Sequence, residues 1–234
     1  IRDSIVIMVV ALATGAIQVD WLSNIVTAVA LVAAIYLWAQ MYTSKLVTRE
    51  EKNRLLGFIP MFISGVLFFG IFQQQFTVMT IYSDVRLDRH MFGWEIPPSL
   101  VQSINPIFIV IFSAVFATMW TKLGDRQWST PVKFGVANIV IGISLFFFLP
   151  FSGAEANSTP MFVIVFILFL FTMAELLLSP VGNALATKVA PVAFPSRMMA
   201  VWMMAVAMGT SLAGSLASFY NPDDAGAENT FFIS

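Results

Sequence analysis

The chain has 234 residues, of which 59% are hydrophobic and only 11% are charged, and its net charge is −1. Soluble domains carry roughly a quarter charged residues, so this chain has too little polar surface to cover a water-soluble globule. The near-zero charge provides no basic field for nucleic acid, and the lack of cysteine excludes disulfides and thiolate metal sites. The composition therefore predicts a protein that has the lipid bilayer as its solvent.

Charged residues occur in clusters, and long uncharged runs separate these clusters. A helix needs about 20 apolar residues to cross the roughly 30 Å hydrocarbon core, and it satisfies its own backbone hydrogen bonds there. Six runs predict membrane-spanning helices: residues 21–42, 55–82, 99–121, 134–150, 159–189 and 198–219. The shorter run 5–17 is interpreted as a short or truncated helix. The predicted fold class is all-α, a polytopic transmembrane helix bundle.

The connections between the runs differ in their content of Lys and Arg. Basic residues are frequent at 45–54, 121–133 and 188–197, and they are absent around Glu155 and Asp223. Because cytoplasmic loops of membrane proteins carry an excess of Lys and Arg, we expect the three basic connections to face the cytoplasm. A further apolar run starts at 230–234, and we expect the chain to be cut at both ends.

The run 55–82 contains three consecutive amides, Gln73-Gln74-Gln75. Gln73 falls at helical spacing with Thr77 and Thr80, so these three side chains share one face of an ideal helix. Such a face can line a polar cavity, or it can join helices through hydrogen bonds worth about 0.6 kcal/mol each in membranes. Both interpretations remain open at this point.

The run 99–121 has a proline beside two amides. Gln102 and Asn105 share a helix face, and Pro106 leaves the carbonyl of Gln102 without its helical partner. Transporters present polar groups to their substrates on helices that are interrupted in this way. The pattern therefore predicts that these amides face a cavity.

Glu175 is the only acidic residue placed deep inside a hydrophobic run. A carboxylate at the bilayer centre costs about 3 kcal/mol or more, so such residues usually face a cavity and mark an ion or substrate path. Ser179, Gly182 and Asn183 lie on the same helix face as Glu175. We predict a polar stripe along this helix, with an interhelical hydrogen bond of the carboxylate as the alternative.

Trp202 lies in the first turns of the run 198–219. It is interpreted as an anchor at the membrane interface or as the aromatic wall of a cavity. The sequence has no Ser-His-Asp set, metal cluster, P-loop or glycine-rich nucleotide loop, so we expect no enzyme activity and no cofactor.

Four segments together resemble the C-terminal bundle of proton-dependent oligopeptide (POT/PTR) transporters of the major facilitator superfamily. They are Phe72-Gln73-Gln74-Gln75, Gln102-Ser103-Ile104-Asn105-Pro106, Glu175-Leu176-Leu177-Leu178-Ser179-Pro180-Val181-Gly182 and Arg197-Met198-Met199-Ala200-Val201-Trp202. The resemblance implies half of a major-facilitator fold in the plasma (inner) membrane. Residues 1–44 would be an inter-bundle helical hairpin truncated at its N-terminus, 45–54 a cytoplasmic linker, and 55–234 the C-terminal bundle, with helices seven to eleven and the start of twelve.

The same resemblance implies a secondary active transporter that imports di- and tripeptides by proton-coupled alternating access. Glu175 would meet the positive N-terminus of the peptide, with Asn105 and Ser179 as hydrogen-bonding neighbours and Trp202 as a wall of the pocket. The proton would be the coupling ion. The other partners would be the lipid bilayer and the missing N-terminal bundle of the same protein.

Two positions of this chain depart from the family pattern, and one loop resembles a motif of the superfamily. Gln73 stands where many members have a glutamate, and Phe69 stands where they have a tryptophan. A glutamine cannot take up a proton, so the proton relay stays open. Asp125 and Arg126 look like part of the superfamily's loop motif, which helps to lock the inner gate.

Two other functions are compatible with the sequence. A major-facilitator carrier for another small solute would keep the topology and change the ligand, although a carrier of anions should have a buried Arg or Lys, and none lies in the interior of the predicted runs. A non-transport membrane subunit would have no use for the carboxylate of Glu175 beside two helices interrupted by proline.

Overall fold

The computed structural model describes residues 19–91, 93–153 and 155–233, so the short helix predicted at 5–17 lies outside the described residues. Within these residues, six helices are long and apolar enough to cross a membrane: Ser23–Thr43, Arg49–Val85, Pro98–Arg126, Thr130–Phe151, Met161–Val189 and Pro195–Ala217. They coincide closely with the six predicted runs. The all-α, multi-pass membrane prediction is therefore confirmed.

Helices make up most of the described chain. They are α1 (Val19–Thr43), α2 (Arg49–Phe72), α3 (Val78–Val85), α4 (Pro98–Val101), α5 (Ile104–Leu123), α6 (Thr130–Leu145), α7 (Met161–Val189), α8 (Pro195–Ala217) and α9 (Ala225–Ile233). Short 3₁₀ segments follow three of them, at Gln73–Phe76, Gly124–Arg126 and Phe146–Phe151. The loop after α3 adds one antiparallel pair of two-residue strands, β1 (His90–Met91) and β2 (Trp94–Glu95), which the hydrophobic pattern did not predict.

Helix α2 begins before the hydrophobic run does, because a capping box starts it. The N–H of Glu51 donates to Thr48 Oγ1 at 3.3 Å, and the N–H of Thr48 donates to Glu51 Oε2 at 2.8 Å. The segment 45–54, expected to be a linker, is therefore helical from Arg49 onward. Glu50 and Glu51 also place negative charge at the positive end of the helix dipole.

The core lies where α2, α6, α7 and α8 pack together. Its largest fully buried side chains are aromatic, including Phe58, Phe68, Phe134, Phe171 and Trp202. Helix α5 is different, because Asn105 is its only buried residue. Most of the apolar surface of α5 is thus left to lipid or to another bundle.

Helix α1 packs along α8 through small polar residues. The hydroxyl of Ser211 donates to the carbonyl of Ser23, and Ser215 Oγ donates to Asn24 Oδ1 at 3.1 Å. At Gly214 an added Cβ would lie 3.0 Å from Ser23 Oγ. Close packing of small residues is typical of membrane helices, and here it attaches α1 to the remainder of the bundle.

Gly209 permits the close contact between α8 and α2. A Cβ at this position would lie 2.5 Å from Phe69 Cβ, 2.8 Å from the carbonyl oxygen of Val66 and 2.9 Å from the backbone nitrogen of Gly70. Backbone atoms cannot move aside, so we expect Gly209→Ala to lower the free energy of unfolding by about 1–3 kcal/mol. The measurement is the melting temperature of the purified full-length protein.

A matched variant separates this clash from a general effect of alanine. Gly142 lies in α6, and an added Cβ there meets no atom within 4 Å. Gly142→Ala is expected to be neutral or to stabilise the helix by up to about 1 kcal/mol. Equal melting temperatures for the two variants would contradict the proposed contact.

The orientation of the bundle in the membrane stays a prediction from the Lys and Arg bias. In a full-length protein without other cysteines, we expect Lys122→Cys and Lys188→Cys to resist an impermeant maleimide in intact cells and to react in inside-out vesicles. Both side chains are exposed, so burial would not protect them. Asp223→Cys, on the opposite side, should react in intact cells. Reaction of Lys122→Cys or Lys188→Cys in intact cells would reverse the assignment.

Candidate functional site

Glu175 lies at the middle of α7, and its side chain is partly exposed. Its Oε2 atom is buried and has no hydrogen-bond partner among the described residues. A buried oxygen without a partner costs free energy, and the cost is larger for a charged group. The carboxylate is therefore available to a cation that the described residues do not supply.

Asn105 is held in place beside Glu175. It is 3% exposed near the start of α5, and its Nδ2 donates to Thr172 Oγ1 at 3.0 Å. Thr172 precedes Glu175 by about one turn of α7, and its hydroxyl donates to the carbonyl of Leu168 at 2.8 Å. The Asn105 amide is also a polar neighbour of the Glu175 carboxyl group. The structure thus brings Asn105 and Glu175 together, and Thr172, which sequence reasoning missed, orients the amide.

The amides of Gln102 and Asn105 form hydrogen bonds to different helices. Helix α4 ends at Val101 and α5 begins at Ile104, so the helix is interrupted at Gln102, as the nearby proline predicts. The Gln102 amide donates to the hydroxyl of Thr80 on α3, whereas Asn105 contacts α7. Of these two amides, only that of Asn105 lies beside Glu175.

The polar stripe on α7 is partly preserved. Ser179 is partly exposed one turn after Glu175, and Asn183 is exposed one turn further. Gly182, expected on the same side, is buried, because the indole of Trp202 covers it. The uncovered side of α7 therefore carries Glu175, Ser179 and Asn183.

Trp202 and Phe69 lie behind this stripe. The Trp202 side chain is 1% exposed, so the interpretation as an interfacial anchor is wrong. Its indole packs edge-on against the ring of Phe69, with 6.1 Å between centroids, and Nε1 donates to Asn183 Oδ1 at 2.9 Å. Trp202 supports the stripe from the core and reaches the uncovered side only through Asn183.

Gln73, Thr77 and Thr80 do not share a helix face. The chain turns into a 3₁₀ segment at Gln73–Phe76, and Thr77 has φ −116° and ψ −90°, outside the helical region. The face predicted from ideal helical spacing is wrong because the helix is interrupted. Gln73 Nε2 donates to Thr210 Oγ1 on α8 at 2.9 Å, so this amide joins two helices.

The loop pair Asp125 and Arg126 is separate from the stripe. Both residues are exposed in the 3₁₀ segment that follows α5, where Gly124 has a φ of 47°. Neither one forms an ion pair with another residue that the structure describes.

Lys133 is a buried cation that the predicted runs excluded, because the helix starts before residue 134. It is 7% exposed in the first turn of α6. Its Nζ donates to Gln127 Oε1 at 2.9 Å and lies 3.8 Å from the centroid of the Trp120 ring. The ammonium group is thus satisfied locally by an amide and a cation–π contact.

Sequence reasoning also missed a second buried carboxylate, Glu228 in α9, which is 0% exposed. Arg86 Nη2 lies 3.2 Å from Glu228 Oε2, the Tyr220 hydroxyl donates to Oε1 at 2.8 Å, and the N–H of Gly153 donates to Oε2 at 2.7 Å. We name Arg86, Gly153, Tyr220 and Glu228 the Glu228 clasp. Burial and the adjacent Glu228 carboxylate raise the pKa of Tyr220, so its hydroxyl stays protonated and remains a donor.

Comparison with known proteins relates this arrangement to a family. Residues 4–231 match the sequence profile described as the POT family. A di-/tripeptide transporter of Lactococcus lactis subsp. cremoris is 40% identical over 190 residues, which cover 78% of this chain and 38% of that protein. The uncharacterised transporter YclF of Bacillus subtilis (strain 168) is 34% identical over 216 residues, which cover 92% of this chain and 44% of that protein.

Solved structures agree with the sequence comparison. A POT family transporter in complex with 5-aminolevulinic acid superposes with a TM-score of 0.86 at 32% identity, over 99% of this chain and 48% of that chain. A mutant of a peptide transporter POT in complex with alafosfalin gives a TM-score of 0.83 at 31% identity, over 99% and 49%. The chain therefore spans about half the length, or somewhat less, of the relatives it matches.

Proposed function

Because this chain belongs to the POT family, we propose that the protein containing it imports di- and tripeptides by proton-coupled alternating access. The observation that carries the proposal is Glu175, a partly exposed residue whose buried Oε2 lacks a partner among the described residues. A protonated peptide amino terminus offers a positive charge and three N–H donors, so it complements this group. The L. lactis relative, named a di-/tripeptide transporter, supports the same class of substrate.

In this mechanism Glu175, Asn105 and Ser179 have separate roles. Glu175 pairs with the amino terminus of the peptide. Asn105, held by Thr172, keeps a fixed amide beside that pair, so little rotational freedom is lost when the peptide binds. Ser179 offers a hydroxyl one turn along α7. The cavity lies between this bundle and the N-terminal bundle of the same protein, and the two bundles rock around it.

We propose the proton as the coupling ion, with no cofactor. Gln73 cannot carry that proton, because an amide does not titrate and its Nε2 already donates to Thr210. Coupling therefore depends on Glu175, which can hold a proton or a peptide ammonium group, together with residues of the N-terminal bundle. Competition between proton and peptide at one carboxylate is a simple way to link their movements.

Gln73→Glu would place a titratable carboxyl group at a position where the wild-type amide does not titrate. The new carboxyl would donate to or accept from Thr210 according to its protonation, so the contact between the 3₁₀ segment and α8 would become titratable. We expect dialanine exchange by this variant to fall several-fold, relative to wild type, as the symmetric pH rises from about 5 to about 8. Superimposable pH profiles for the variant and the wild type would contradict this expectation.

The proposed function is tested with the full-length protein in proteoliposomes. An inward proton gradient should drive the accumulation of radiolabelled dialanine, and a protonophore should abolish the accumulation. Lack of any dialanine uptake would refute the peptide-transport proposal. Uptake at the same level with and without the protonophore would refute the coupling to protons alone.

One observation favours a wider range of substrates at the same site. A similar POT family structure contains 5-aminolevulinic acid, which has a free amine and a carboxylate but no peptide bond. The Glu175 carboxylate would serve any small compound with a free amine. Inhibition of dialanine uptake by excess 5-aminolevulinic acid would support this second class of ligand, and lack of inhibition would restrict the site to peptides.

A further inference from the structure

Trp202 occupies a narrow space between two glycines, Gly65 of α2 and Gly182 of α7, which we name the glycine slot. A Cβ at Gly182 would lie 2.1 Å from Cζ2 of the indole, and a Cβ at Gly65 would lie 2.8 Å from Cζ3. The ring of Phe134 on α6 packs 6.0 Å from the indole centroid. Helices α2, α6 and α7 therefore all meet on one side chain of α8, and the indole has little room to turn.

The indole N–H reaches the uncovered side of α7 through Asn183. Trp202 Nε1 donates to Asn183 Oδ1 at 2.9 Å, and a buried indole N–H usually has such a partner. Asn183 follows Gly182 directly and is exposed, unlike the indole that it contacts. One amide thus connects the glycine slot with the stripe that carries Glu175 and Ser179.

Asn183 is too distant from Glu175 to hold the other end of a bound dipeptide. The two residues are eight positions apart on one helix, which corresponds to a rise of about 12 Å. Two extended residues span only about 7 Å. The described contact of the Asn183 side chain is instead its bond to the Trp202 indole.

We propose that Asn183 is a positioning residue: it holds the Trp202 indole in the glycine slot and so makes α7 and α8 move as one unit during transport. This inference rests on the proposed function, because it concerns the opening and closing of the cavity. Without the acceptor, the indole N–H would bond to water at the uncovered side of α7, and the packing in the glycine slot would loosen. Loss of the bond should then slow the transport cycle and leave peptide binding at Glu175 unchanged.

Four variants of the full-length protein separate positioning from general stability. Asn183→Leu removes the acceptor, Asn183→Asp keeps it, and Trp202→Phe removes the donor. The control is Asn138→Leu, which deletes another amide contact between helices, from Asn138 Nδ2 on α6 to Ser64 Oγ on α2 at 2.8 Å. Each variant is compared with wild type after correction for the amount of folded protein.

Kinetics of radiolabelled dialanine uptake in proteoliposomes give the first readout. We expect Asn183→Leu to lower the maximum rate about tenfold and to change KM less than about twofold. Asn183→Asp should keep most of the rate, and Asn138→Leu should change neither parameter by more than about twofold. The double variant Asn183→Leu, Trp202→Phe should be no slower than the slower single variant, because both changes delete the same bond.

Deuterium exchange of the Trp202 indole N–H, followed by NMR with ¹⁵N-labelled tryptophan, gives a second readout that needs no substrate. Exchange should accelerate in Asn183→Leu and stay at the wild-type rate in Asn138→Leu. Unchanged exchange in Asn183→Leu, multiplied losses in the double variant, or a raised KM at an unchanged maximum rate would overturn the inference. If the wild-type protein takes up no dialanine, the proposed function fails, and indole exchange alone decides whether Asn183 holds Trp202.

Discussion

In the full-length protein, Glu175→Gln is expected to reduce dialanine uptake about ten- to hundredfold while folded protein remains in the membrane. The substitution keeps the size of the side chain and one carbonyl oxygen, but it removes the charge that pairs with the peptide ammonium group. A hydrogen bond to a charged partner contributes about 1.5–3 kcal/mol, and 1.4 kcal/mol corresponds to a factor of about ten. The measurement is the initial rate of uptake at subsaturating dialanine, divided by the amount of folded transporter.

Two kinds of control define this result. Asn105→Ala and Ser179→Ala delete neutral contacts, so each should cost only about 0.5–1.5 kcal/mol of binding. Glu155→Gln makes the same chemical change at an exposed loop position and should leave uptake unaltered. If Glu175→Gln transports dialanine with the wild-type rate and affinity, the carboxylate serves as an interhelical contact and the binding role is wrong.

Glu228→Ala is expected to lower the free energy of unfolding of the bundle by about 3–5 kcal/mol, the usual cost of removing one partner of a buried ion pair. The variant would remove the carboxylate beside Arg86 Nη2, which also donates to the carbonyl of Pro222 at 2.6 Å, and the Tyr220 hydroxyl and the Gly153 N–H would each lose their acceptor. These groups belong to separate connections, so the Glu228 clasp joins segments that are distant in sequence. Thermal unfolding of the purified full-length protein measures the effect.

The exposed ion pair between Arg54 and Glu50 is the matched control for the Glu228 clasp. Its atoms are 4.0 Å apart, and its side chains are 58% and 87% exposed, so Glu50→Ala should change the free energy of unfolding by less than about 1 kcal/mol. A melting temperature for Glu228→Ala equal to that of Glu50→Ala would show that the Glu228 clasp does not stabilise the bundle.

The membrane spans could be predicted from the sequence because bilayer thickness and charge impose simple limits on each helix. Glu175 and Asn105 could be identified for the same reason, since a polar group in a hydrophobic run is costly wherever the run packs. These are properties of single segments. The structure adds that Thr172 orients Asn105, a contact between α5 and α7 that helical spacing alone cannot specify.

Features that depend on several helices at once could not be predicted. The helix is interrupted at Gln73–Phe76, and the amides there bond across to α8, with Gln73 on Thr210 and Gln74 Nε2 on the carbonyl of Ala213 at 3.3 Å. The burial of Trp202 depends on glycines of two other helices. Periodicity within one run contains no information about either contact.

The pairing of Glu228 was hidden for a related reason. Its partners lie in connections, where charged residues are ordinarily solvated, and the short helix α9 gives little hydrophobic context. Lys133 was missed because its ammonium group is satisfied by Gln127 and Trp120 rather than by an acid. Burial of a charge in a loop or at a helix start becomes visible only when the chain is folded.

The most direct test of the central claim is calorimetric binding of dialanine and N-acetyl-dialanine to the full-length wild-type protein and to Glu175→Gln. If Glu175 pairs with the peptide amino terminus, dialanine should bind the wild type about ten- to hundredfold more tightly than it binds the variant. N-acetyl-dialanine, which lacks the positive charge, should bind both proteins weakly and equally. Equal binding of dialanine to the two proteins, or an equal loss of affinity for both peptides, would contradict the role of Glu175.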